Sequence, residues 1–146
     1  MSLSKVVPQE FRNIAGVGYI QGAVKSQLDA RGYPNQVEVD GMYGLNTVHG
    51  LNTVTFKVFN RIAKETHLFQ GGAFNEQWEN GIMSFQRWYG DIYDQLGTEE
   101  VKFHKLPAPQ NDGDWGPETK KCVDAILAVF DKLHTESLPR NRQMTS

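Results

Sequence analysis

The sequence predicts a small all-α orthogonal helical bundle of about four helices, joined by two Asp-Gly turns and short strand-like connections. Three observations predict it. Apolar residues recur at three- and four-residue intervals in four separate stretches. One turn sequence occurs twice: Asp40, Gly41, Tyr43, Gly44 and Thr47 in "VDGMYGLNT" match Asp112, Gly113, Trp115, Gly116 and Thr119 in "NDGDWGPET", each pair 72 residues apart. With 39% hydrophobic and 22% charged residues in a chain of 146, the composition is that of an ordinary globular domain able to bury a modest core.

The first helix is marked by Ile20, Val24 and Leu28, and "RGYPN" stops it with Gly32 and Pro34. After the first turn, Val48, Leu51, Thr55, Val58 and Ile62 form the stripe of a second helix. Phe74, Trp78, Ile82, Phe85, Tyr89 and Ile92 share one face of a third, which runs from near Asn75 to Gly97. Cys122, Val123, Ile126, Leu127, Phe130 and Leu133 line the fourth. "QVEV" before Asp40 and "VKFHKL" before Pro107 alternate enough for short strands. Residues 98–110 read as a loop or insertion, because Pro107 and Pro109 favour extended backbone. The whole chain, 1–146, is expected to form one domain with its core at about 18–134 and flexible ends at 1–17 and 135–146.

The repeated turn has a local rationale. An Asp-Gly pair suits a tight turn, since glycine takes positive φ and aspartate accepts hydrogen bonds from N–H groups just ahead of it. Gly44 and Gly116 would let the chain approach its neighbour before each helix begins. Pro117 fits a first helical turn, where its missing N–H costs nothing, and Glu118 favours the positive end of the helix dipole. Thr47 and Thr119 can turn their hydroxyls back to the loop. Tyr43 and Trp115, between the glycines, can pin the loop against a helix or present a ring to a ligand.

The pattern Asp-Gly-x-aromatic-Gly-x-x-Thr leading into a helix resembles the hallmark of the peptidoglycan-binding-like domain, a three-helix bundle of cell-wall hydrolases and phage lysins. "AVKSQLDARGYPNQVEVDGMYGLNT" looks like that family's first helix, Gly-Tyr stop and turn, and "NGIMSFQRWYG" like its second-helix Phe-Gln signature. The similarity covers about two thirds of the chain, and its strongest parts are the two turns. The chain departs from the family where "VTFKVF" replaces the Phe-Gln expected soon after Thr47, and in the longer connection between Gly90 and Asp112. It reads as a divergent member, either one module expanded or two degenerate modules sharing one core, and the single expanded core is preferred because each half alone would be very small.

The resemblance implies a non-catalytic module that binds peptidoglycan, with Arg31, Tyr33, Tyr43, Asn46 and Trp115 as candidate contacts and Asp40, Gly41, Gly44, Thr47, Asp112, Gly113, Gly116 and Thr119 as the structural turn. The alternative is a phage virion protein of tail, neck or capsid that reuses the fold to hold other virion proteins. No catalytic constellation, metal set or cofactor motif stands out. Glu76, Glu79 and Asp91 fit the solvated side of a helix, and Asp112, Asp114 and Glu118 lack the downstream oxygens of a calcium loop. A net charge of −2 draws the chain to neither nucleic acid nor membrane. Cys122 alone forms no internal disulfide. The start of the chain lacks a signal peptide's apolar run. The expectation is synthesis in the cytoplasm, then residence in a virion or release at lysis.

Overall fold

The computed structural model describes residues 8–59 and 80–136, and it is mainly helical, with no strand among those residues. The order is α1 (Gln9–Ala30), α2 (Leu45–Val54) continued by a wider π-helical turn (Thr55–Phe59), α3 (Gly81–His104) and α4 (Pro117–Glu136). The positions Ile62, Phe74, Trp78, Glu76 and Glu79 lie outside the described residues. No helix of the described residues is long and apolar enough to cross a membrane.

α1 packs against α2, α3 and α4, and α4 also meets α3 and the π-helical turn. One continuous core results, with Ile20, Val24 and Leu28 from α1, Leu51 and Val54 from α2, Phe85, Tyr89 and Ile92 from α3, and Cys122, Ile126 and Phe130 from α4. Within the described residues, the stripes expected from sequence are the faces that pack into the core, Leu133 only in part. Shortening Ile126, which is fully buried, to Val is expected to cost about 1 kcal/mol in chemical denaturation, as for loss of one packed methyl group. An unchanged midpoint would mean that α4 repacks freely around the gap.

Three boundaries differ from the sequence reading. α1 begins at Gln9, so residues 9–17 belong to a helix whose Val17 is buried, and are not a flexible end. Gly97 (φ 87°, ψ 168°) leaves helical geometry, as the expected stop there requires, but residues 98–104 resume as helix beyond that kink rather than forming a loop. "VKFHKL" is therefore the close of α3: Lys105 takes the left-handed conformation (φ 56°), and the N–H of buried Leu106 donates to the carbonyl of Val101 at 3.0 Å. "QVEV" is non-helical connection, of which only Val37 is buried.

Candidate functional site

Both Asp-Gly turns are built the same way around a buried glutamine. In turn 1, the Nε2 of Gln21 on α1 donates to Asp40 Oδ1 (3.1 Å), the Met42 carbonyl (2.8 Å) and Thr47 Oγ1 (2.9 Å). Its Oε1 accepts from the N–H groups of Asp40 (3.0 Å) and Gly41 (2.9 Å). In turn 2, Gln86 on α3 donates to Asp112 Oδ1 (3.0 Å) and Thr119 Oγ1 (3.0 Å), and accepts from the Gly113 N–H (2.8 Å). Each aspartate closes its own Asx turn, to Met42 N–H at 2.9 Å and to Asp114 N–H at 3.0 Å. Gly41 and Gly113 sit at φ 77° and 70°, which a side chain would strain.

The two turns are thus equivalent in shape, and each delivers its chain into a helix, at Leu45 and at Pro117. A correction concerns Gly44 and Gly116: a Cβ on either would meet nothing within 4 Å, so neither is there for close approach. The close approaches lie elsewhere. A Cβ on Gly16 would fall within 2.7 Å of three ring carbons of Trp115, and one on Gly81 would fall 2.7 Å from the Tyr43 Cβ. Gly16 precedes Gln21 by five positions, as Gly81 precedes Gln86. The chain is therefore two helix–turn–helix units, α1–α2 and α3–α4, in which the aromatic of each turn rests on the other unit's glycine. Asn13 and Asn80 both donate to the Gly113 carbonyl at 2.9 Å, and Asn13 Oδ1 accepts from the Trp115 N–H at 2.8 Å.

The turn aspartates carry a pH signature. For Asp40, the hydrogen bonds from Met42 N–H and then Gln21 hold the carboxyl below its ordinary 3.8; for Asp112, those from Gln86 and then Asp114 N–H do so. A depressed folded value means stabilisation that is complete above the unfolded carboxyl's value and lost as pH falls through the folded one. The wild type is therefore expected to lose more stability between pH 6 and pH 3 than Asp40→Asn/Asp112→Asn, measured by urea unfolding. Equal losses would show that other carboxylates carry the acid response.

The five sequence-predicted contacts are not brought together. Tyr43 and Trp115 are half-buried and pack against the core, and burial holds the Tyr43 phenol well above its ordinary value. Arg31 and Tyr33 do not project outward beside the turn. The N–H of Tyr33 folds back onto the Leu28 carbonyl (2.9 Å), which brings its ring edge-on to His134 (5.4 Å between centroids), and the Arg31 guanidinium pairs with Asp131 of α4. Asn46 is exposed and opens onto a groove.

That groove runs between residues 34–36 and α2, encloses about 520 Å³, and is lined by Pro34, Asn35, Gln36, Asn46, His49, Gly50 and Thr53. Gly50 lets α2 sit close on the core beneath, since a Cβ there would fall 2.6 Å from the buried Val37 side chain. Asn35 is held by its bonds to Asp29 (2.8 Å) and the Val37 N–H (3.2 Å). The side chains of Gln36, Asn46 and His49 are engaged with none of the described residues and line a space the size of a small-ligand pocket. At the places of Asn46 and His49 in the second unit, 72 residues on, stand Glu118 and Lys121, joined by an ion pair at 3.3 Å. The first unit thus presents an amide and an imidazole where the second presents an ion pair. No known protein family, curated protein or solved structure matches the chain.

Gln21 escaped the sequence reading, as did Gln36 and His49. The signal for Gln21 is the shared Gly-x-x-x-x-Gln spacing of residues 16–21 and 81–86.

Proposed function

We propose that the chain is a non-catalytic module that binds bacterial cell-wall peptidoglycan, phage-encoded, and that the groove beside turn 1 is its contact surface. The observation that carries this reading is the convergence of Gln36, Asn46 and His49, none engaged with a described residue, on one open groove next to a rigid turn. Amides and an imidazole of this kind exchange hydrogen bonds with hydroxyls and amides of a polymer. The turn itself is a fixed base, since its polar groups are consumed by Gln21. Sites held by such pre-formed backbone lose little entropy on binding.

Co-sedimentation of the full chain with purified sacculi is the test. The wild type should pellet with the walls, and Asn46→Ala should raise the dissociation constant about tenfold, the worth of one good hydrogen bond, with its melting temperature unchanged. A wild type that stays in the supernatant overturns the reading.

In that event the second reading holds, a virion structural or adaptor protein of tail, neck or capsid. What favours it is a separate apolar surface: Phe11, Ile14 and Met42 are all more than half exposed, and Ile14 and Met42 border a hollow of about 540 Å³ between α1, turn 1 and the start of α3. Exposed apolar side chains grouped in this way suit a protein contact better than a glycan.

A further inference from the structure

We infer that the groove recognises the N-acetylated sugar backbone of the wall polymer rather than its peptide stems, an inference that rests on the wall-binding reading above. The two parts of peptidoglycan differ in charge. The glycan strand presents hydroxyls and acetamides, whereas the stems carry free carboxylates.

A carboxylate is recognised by a cation, most effectively by a guanidinium that offers two parallel N–H donors. Among the described residues that line the groove there is no Lys, Arg, Asp or Glu, and the imidazole of His49 cannot offer that two-pronged fork. Of the nearest cations in sequence, Arg31 is committed to Asp131, and Lys57 lies 6.0 Å from the centre of the Tyr33 ring. Along its other edge, Asn46 also borders a second hollow of about 310 Å³ whose lining includes Glu38 and Asp40. Asp40 is held in its charged form by its hydrogen bonds. A stem carboxylate entering there meets like charge, which is repulsive.

The neutral strand fits what is present. Each primary amide has a carbonyl acceptor and two N–H donors, so Gln36 and Asn46 can each pair with an acetamide, donor to acceptor and acceptor to donor. Pro34 and Gly50 give an apolar strip on which a pyranose face or an acetyl methyl can lie. At the equivalent place in the second unit, Glu118 and Lys121 present an ion pair instead.

The experiment uses the full chain, isotopically labelled, and four probes: intact sacculi, glycan strands stripped of their stems by an amidase and then converted to amides at the lactyl carboxylates that cleavage exposes, the released stem peptides, and the tetramer of N-acetylglucosamine. Stripped strands should bind as well as intact walls. The tetramer should shift the side-chain amide resonances of Gln36 and Asn46, and released stems should not compete. Gln36→Ala and Asn46→Ala should each weaken stripped-strand binding about tenfold, while Glu118→Gln in the second unit should leave it unchanged. Binding to intact walls with none to stripped strands, or competition by the stems, overturns the inference and leaves the wall-binding reading standing. Failure of intact walls, stripped strands and tetramer alike overturns both.

Discussion

Replacing Gln86 with Ala is expected to destabilise the fold by about 4 kcal/mol, because it orphans two buried groups at about 1–3 kcal/mol each. Those groups are the N–H of Gly113, which donates to Gln86 Oε1 at 2.8 Å, and the hydroxyl of Thr119, which accepts from Nε2 at 3.0 Å. Asp112 is exposed and recovers water, so it adds little. Gln86→Glu isolates the electrostatic part. A glutamate keeps an acceptor for Gly113 but sets a second carboxylate against Asp112, where Nε2 now donates at 3.0 Å. Burial and the neighbouring charge raise the folded value of such a carboxyl, so its penalty is present at neutral pH and fades as acid protonates it. The penalty of Gln86→Glu relative to wild type should therefore shrink from pH 7 to pH 4 in urea unfolding. A Gln86→Ala variant within 1 kcal/mol of wild type would mean that the turn holds its shape without the glutamine, and the account of turn construction would fall.

What the sequence disclosed follows from which physics is periodic or local. The helical stripes were legible because burial of one face imposes a 3.6-residue period, and the buried set on α4 follows it from Cys122 to Phe130. The turns were legible because positive φ at Gly41 and Gly113 leaves a residue-type signature. Gln21 was not, because a single polar residue in an apolar stripe looks like an interruption until the turn it serves, 19 positions on, is in view. Gln86 lies 26 positions before its aspartate, and the difference of seven matches the length of the helical stretch 98–104. That stretch read as a loop because glycine and proline bracket it. Arg31 and Tyr33 were expected outside for a related reason: a Gly-Tyr helix stop looks like a projecting end, yet the bond from the Tyr33 N–H to Leu28 turns the chain back over α4. The groove was legible only at Asn46, since Gln36 and His49 join it through the fold and not through a motif.

Placing a leucine at Gly16 is expected to cost about 3 kcal/mol, at the upper end of overpacking penalties, because the new side chain claims the space of the Trp115 ring. Even its Cβ would lie within 2.7 Å of three ring carbons. α1 provides its own controls, since a Cβ on Gly18 or Gly22 meets nothing within 4 Å. Gly18→Ala and Gly22→Ala should stabilise by up to about 1 kcal/mol, the difference in helix propensity. Opposite signs along one helix would then separate the packing requirement at Gly16 from any general effect of glycine. The cycle with Trp115→Ala reads the contact itself. If the leucine acts by expelling the indole, then once the indole is gone the leucine costs little, and the double variant should fall short of the sum by about 1–3 kcal/mol, as contacting residues do. Gly81→Ala against Tyr43 should behave likewise, the Cβ there meeting Tyr43 and Val17 at 2.7 and 2.9 Å. Because each aromatic belongs to one unit and its glycine to the other, non-additivity in both cycles would measure the lock between the units from both sides. Additive losses in either cycle would show that the ring on that side rests on its glycine without being held by it.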